Sequence, residues 1–280
     1  MPEEFGAKAL VAALTPLGDY LERVVICGSW TLFIYRHWVL GKGDEAPVRT
    51  LDVDVAVPKK VPIVQKPLSK ILESAGFKED LSGEGDPPVS HFRLKGSPYL
   101  EFITPHKGNR EQRTLEVQPG LTAQELRYLE IVLDTPRLVR IPGTRLEVRV
   151  VSPAAYLYQK GLSFVRRQKP AKKAKDLAYL FDLLHNLPEL RAQALGELPA
   201  LVGRHPATWH RTFRDNLHKY FSERNSEGVR LVESQQPHPY AQFLAEDPTN
   251  GTARFREAVF ARFTALLADL GLAQGTAKPK

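Results

Sequence analysis

Asp52 and Asp54 stand two residues apart in the run Leu51-Asp52-Val53-Asp54-Val55-Ala56-Val57, and this pair constrains the fold more than any other feature of the chain. The period of two is that of a β-strand, so both carboxylates face one side of a sheet while Val53, Val55 and Val57 face the other, into a core. Two like charges on one face repel, and burial strengthens the repulsion. A sequence keeps such a pair cheaply when something cationic sits between them, and a divalent metal is the usual candidate. Upstream, Val24-Val25-Ile26-Cys27 is a short β-run that ends in Gly28-Ser29 and is followed by an amphipathic run from Trp30 to Leu40. Glycine allows the backbone to approach a phosphate at a helix N-terminus, and the serine hydroxyl and amides can bond its oxygens. Ser29 is equally an expected N-cap of the helix that follows.

A third carboxylate is available in Tyr99-Leu100-Glu101-Phe102-Ile103. Should that strand lie beside the Asp strand, Glu101 completes a set of three. Three oxygen ligands suit Mg²⁺ (or Mn²⁺), which keeps some waters and takes its other ligands from substrate phosphates.

The first half of the chain reads as mixed α/β. Helices are expected over residues 5–18 and from Val64 to Ala75, the second stopping before Gly76. Residues Ser82 to Pro88 read as an exposed turn. Hairpins are expected between His91–Leu94 and Tyr99–Ile103, and between Arg137–Ile141 and Arg145–Val151. Beyond Ser152 strand signals vanish. Pro153 sits near a helix start, and Leu177, Leu180, Phe181 and Leu184 mark one face of a helix from about Ala171 to Leu187. The remainder reads as helical, with a polar tail from Gln274. The expected class is α/β (α+β): a small mixed-sheet core over residues 1–150 and a helical half over 151–280.

The net charge of +7 points to a polyanionic partner, and basic residues cluster between Arg166 and Lys175. No apolar run approaches the roughly 20 residues needed to span a bilayer. The acidic start Met1-Pro2-Glu3-Glu4 lacks a secretory apolar region, and the single cysteine, Cys27, excludes an internal disulfide, so a cytoplasmic protein is expected. There is no Gly-x-x-x-x-Gly-Lys loop, which removes P-loop chemistry.

Gly28-Ser29, a helix, Asp52-x-Asp54 on a strand and Glu101 on a later strand together resemble the nucleotidyltransferase superfamily that includes DNA polymerase beta. Within it, Ser152-Pro153-Ala154-Ala155-Tyr156-Leu157-Tyr158-Gln159-Lys160, then Arg166-Arg167, then Lys175-Asp176-Leu177-Ala178-Tyr179-Leu180 is similar to the AbiEii-type branch, some members of which are toxins. The resemblance covers residues 20–187. The chain departs from it in having Gly28-Ser29-Trp30-Thr31-Leu32 where that branch often has Gly-Gly-Thr-Ala-Leu; Trp30 either packs in the core or narrows the nucleotide pocket.

The resemblance implies transfer of an NMP from an NTP to an acceptor hydroxyl. Asp52, Asp54 and Glu101 would be catalytic and hold the metal, Glu101 also helping to accept the proton. Gly28 and Ser29 would hold the β- and γ-phosphates, and Lys160 would neutralise the triphosphate. Asp176 would orient Lys160 or reach the nucleotide, against the simpler reading of an acid at a helix N-terminus. Residues 152–187 would then close over the site. The acceptor stays open among RNA (for example a tRNA end), a protein hydroxyl and a small molecule such as an aminoglycoside, and an antitoxin partner would be a separate chain. His91, His106 and Arg49 are weaker candidates for contact with substrate. The competing readings are a non-catalytic binding or interaction module on the same fold, and a phosphatase or glycosyltransferase using Asp-x-Asp. A haloacid-dehalogenase-type phosphatase would need its acids at the end of the first strand, whereas here Val55-Ala56-Val57 carries the strand onward.

Overall fold

The computed structural model describes residues 6–42, 51–83, 87–106, 108, 114–237 and 239–269. The chain folds into two compact units that divide between Ser152 and Pro153.

In the first unit, α1 (Ala7–Leu14) passes into a 3-10 segment over Thr15–Glu22. The expected helix is cut short because Pro16 lacks an amide donor and Gly18 turns to φ +51°. Then come β1 (Val25–Cys27) and α2 (Trp30–Ile34), continued by a π-helical turn over Tyr35–Val39. All five residues of α2 are buried. The first part of the run read as amphipathic is therefore a core helix, while its end at Val39 is exposed; Trp30, with no exposed surface, packs in the core against Phe33 at 5.1 Å between ring centres. The chain continues through β2 (Asp52–Ala56), α3 (Leu68–Ser74), β3 (Lys78–Ser82), β4 (Val89–Arg93), β5 (Tyr99–Pro105), β6 (Thr114–Gln118), β7 (Leu121–Leu126), α4 (Glu130–Asp134), β8 (Arg137–Arg140) and β9 (Glu147–Val150). Helix α3 begins at Leu68, not Val64, because Pro67 is itself extended (ψ 139°) and a proline disfavours the helical region for the residue before it. Arg49, and Thr50 at the expected start of the strand over residues 50–57, lie outside the described residues.

The nine strands among the described residues form one mixed sheet in the order β3-β4-β5-β2-β1-β9-β8, with β7 added to β5 and β6 to β7. Strands β2 and β5 run parallel, with Asp52 opposite Tyr99 and Asp54 opposite Glu101. On the other side of β2, Cys27 of antiparallel β1 stands opposite Asp54. The expected hairpins are present: β4 and β5 pair through His91 opposite Glu101, and β8 and β9 pair from Arg137 opposite Val150. Val53, Val55, Leu100 and Phe102 are fully buried on the face away from the acids. Each buried side chain of this size contributes about 1.5–3 kcal/mol, which holds β2 and β5 together despite the acids on their other face.

The second unit is helical: α5 (Pro153–Ser163) with a 3-10 turn at Phe164–Arg166, α6 (Pro170–His185), α7 (Pro188–Val202), α8 (Ala207–Tyr220), α9 (Glu227–Ser234), α10 (Tyr240–Glu246) and α11 (Gly251–Asp269). The stripe of Leu177, Leu180, Phe181 and Leu184 is buried throughout, and Phe181 meets Phe255 edge to face at 5.5 Å. Gly161 of α5 admits Phe213 of α8: a Cβ there would lie 2.3 Å from the Phe213 ring. No helix among the described residues is long and apolar enough to cross a membrane.

Candidate metal centre and the residues around it

The parallel register of β2 and β5 brings Asp52, Asp54 and Glu101 to one face of the sheet. Each offers one carboxylate oxygen, and the three oxygens lie within 4.8 Å of one another. All three side chains are partly buried. Their field is felt by the neighbouring Tyr99, whose phenol is pushed up to about 12: burial contributes most, then the charges of Asp52, Glu101 and Asp54, against the opposing pull of Arg93.

Gly28 sits under this cluster with φ +67°, a conformation that side chains disfavour. A Cβ on Gly28 would lie 1.7 Å from Asp54 Oδ2 and 2.7 Å from its Cγ. Glycine is needed here because the Asp54 carboxylate lies directly on the backbone of the β1–α2 turn. Gly28→Ala is expected to cost about 1–3 kcal/mol from backbone strain alone and to displace Asp54. A melting curve of the metal-free variant checks this, and an unchanged midpoint would contradict the packing described.

Ser29 occupies the N-cap position of α2, but its side chain makes no capping hydrogen bond. The expected N-cap position is kept, and the expected capping bond is not formed. Its own backbone is helical (φ −68°, ψ −31°), which is not the extended conformation of a capping serine. Ser29 as a whole is buried, next in sequence to the Gly28 that packs on Asp54.

His91 and His106 separate clearly. His91 Nε2 lies 3.8 Å from Glu101 Oε2. His106 instead has Nδ1 3.4 Å from Glu125 Oε2, and Glu125 is registered with Thr104, on the opposite face of β5 from Glu101. Two neighbours of the cluster carried no signal of their own in the sequence. Ser82, read as part of a turn, closes β3 and reaches the His91 ring with Oγ 3.1 Å from Nδ1. Tyr99 takes its place from the same period of two that places Glu101.

In the helical unit, Lys160 and Asp176 are both buried, and Lys160 Nζ donates to Asp176 Oδ1 at 2.5 Å. Arg167 Nε donates to the other oxygen, Oδ2, at 2.8 Å. Asp176 lies well inside α6 and no acid occupies that helix's first turn, so the reading as a dipole-satisfying N-terminal acid is replaced by that of a buried ion triad. Burial alone would raise the Asp176 carboxyl; the charges of Lys160 and then Arg167, with their hydrogen bonds, outweigh it and hold it below its ordinary value. The ammonium of Lys160 also lies over Tyr156 and Tyr179, 5.5 and 5.9 Å from the ring centres.

A family model described as "Nucleotidyltransferase" matches residues 7–199, from α1 into α7. Neither the curated proteins nor the solved structures contain a match. The matched stretch carries the Gly28 turn, the three carboxylates and the Lys160–Asp176 pair, and extends over more than half of the chain. The chain belongs to this nucleotidyltransferase family.

Proposed function

We propose that the protein transfers a nucleoside monophosphate from an NTP to a hydroxyl of an acceptor, as a polymerase-beta-like nucleotidyltransferase of the AbiEii type. The observation that carries this reading is the cluster of three carboxylate oxygens within 4.8 Å, set in register on adjacent parallel strands against a glycine turn. The donor set fits a hard divalent cation: all three ligands are carboxylates, with neither cysteine nor histidine among them. Asp52, Asp54 and Glu101 would hold Mg²⁺ or Mn²⁺, which when bound supplies activation of the attacking hydroxyl and neutralisation of phosphate charge.

The remaining work falls to the chain's own groups. Gly28 and Ser29 offer the amides of the β1–α2 turn and a hydroxyl to the β- and γ-phosphates. Glu101 accepts the proton of the acceptor hydroxyl on a carboxylate oxygen. The acceptor oxygen bonds to the α-phosphorus, the bond from that phosphorus to the bridging oxygen breaks, and pyrophosphate leaves. Lys160, held by Asp176, is the nucleotide contact that the helical unit would offer, and Arg167 holds the other oxygen of Asp176.

RNA, such as a tRNA end, is the acceptor that the charge distribution favours. Residues 153–280 carry 19 Lys and Arg against 12 Asp and Glu, whereas residues 1–152 carry 20 of each. A surplus confined to the helical half suits phosphate contacts. In this reading the protein is cytoplasmic and acts as a toxin restrained by a separate antitoxin chain, so that expression alone arrests growth.

The test is incubation with each NTP labelled at the α-phosphate, Mg²⁺ or Mn²⁺, total RNA and cell protein. Label passing to RNA with wild type, and not with an Asp52→Ala/Asp54→Ala variant, is the expected result. Label on protein or a small molecule would replace the acceptor. Absence of transfer, with no metal-dependent NTP binding by calorimetry, would leave a binding module.

A further inference from the structure

We propose that His91, held by Ser82, is a positioning residue for Glu101, fixing the orientation in which that carboxylate meets the metal. The proposal rests on the metal reading of the three-carboxylate cluster. Across antiparallel β4 and β5, His91 and Glu101 are directly opposed, which places their side chains side by side on one face. The ring and the carboxylate are 13% and 17% exposed, so solvent screens little of their interaction across 3.8 Å.

Two groups besides Glu101 box in the His91 ring. The Ser82 hydroxyl lies 3.1 Å from Nδ1 and 3.3 Å from Nε2. The Tyr99 ring lies 5.0 Å away on the next strand, tilted by 32°. Tyr99 is covered in turn by the Arg93 guanidinium at 4.4 Å, which Asp80 of β3 holds at 3.1 Å. The outer strands β3 and β4 therefore serve as a brace along one edge of the acidic site.

The physical need for a brace is clear. A glutamate has three rotatable bonds and swings more freely than the two aspartates, one of which is already fixed against Gly28. A carboxylate that binds a metal with one oxygen is oriented by what its surroundings offer the other, and such supporting partners typically change metal affinity by about 10–100-fold when removed.

The probe is Mn²⁺ alone, its binding followed by electron paramagnetic resonance on the full chain. His91→Ala is expected to weaken Mn²⁺ binding by about tenfold or more. His91→Gln, which keeps an N–H beside Glu101, should stay within about threefold of wild type. Ser82→Ala, which removes only the hydroxyl, should fall between them. A role in packing alone would not distinguish Gln from Ala at equal melting temperature. Wild-type Mn²⁺ affinity in His91→Ala overturns the proposal while leaving the metal site standing. Absence of Mn²⁺ binding by the wild type overturns the metal reading and the role of His91 with it.

Discussion

Replacing Asp52 and Asp54 together by asparagine is expected to lower nucleotidyl transfer by on the order of 10³-fold or more, corresponding to at least about 4 kcal/mol of transition-state stabilisation. The same variant is expected to be the more stable protein in metal-free buffer. Two carboxylates on one strand face, with Glu101 within 4.8 Å, repel one another when no cation sits among them. Relief of about 1 kcal/mol would raise the thermal midpoint by about 2–4 °C for a unit of this size. In saturating Mn²⁺ the order reverses, since a ligand at 100 times its Kd adds about 2.7 kcal/mol to the form that binds it. A variant that loses activity and stability together in metal-free buffer would show that the aspartates are structural. The crossing of the two stability orders separates a metal site from a framework of hydrogen bonds.

Asp176→Ala is expected to cost the helical unit about 3–5 kcal/mol, because it leaves Lys160 buried without its carboxylate. Substituting Lys160→Met in the same chain should recover most of that loss, since removing both partners of a buried pair removes the desolvation penalty as well as the attraction. The pH dependence has a definite sign. The Asp176 carboxyl is held below its ordinary 3.8 in the folded protein, so its contribution is fully present above that value. It is lost as pH falls from there through the lower folded value. Wild type and Asp176→Ala should therefore differ by a constant amount at neutral pH and converge only in acid, below about pH 4. Urea melts at pH 7 and pH 3 measure this. A gap that closes between pH 7 and pH 5 would assign the effect to another group.

What the sequence carried and what it withheld follow from the kind of information each residue encodes. Asp52, Asp54 and Glu101 could be placed on one face because a strand's period of two is written into the apolar residues between them. The pairing of β2 with β5 could only be posed as a condition, since register depends on two segments more than forty residues apart. Strand β3 was missed because Lys78-Glu79-Asp80-Leu81-Ser82 is an outer strand whose side chains mostly face water, so no apolar alternation marks it. With it went Ser82 and the brace around His91. The β6–β7 hairpin was missed although Pro119-Gly120, with Gly120 at φ +68°, is a readable turn between Val117 and Leu121. The separation of His91 from His106 could not be read from one strand, because Pro105 ends β5 and His106 takes its partner from β7. The burial of Asp176 was hidden by its position one residue after a basic run, which reads as a solvated surface.

The central claim is that the Asp52–Asp54–Glu101 cluster runs metal-dependent nucleotidyl transfer, and pyrophosphate release tests it most directly. Wild type and the Asp52→Asn/Asp54→Asn variant would be incubated with the four NTPs, Mn²⁺ and total RNA, with pyrophosphate and orthophosphate measured separately. Pyrophosphate from wild type, abolished both by chelation and by the paired substitution, is the predicted result. Orthophosphate in its place, or equal pyrophosphate from the variant, would contradict it.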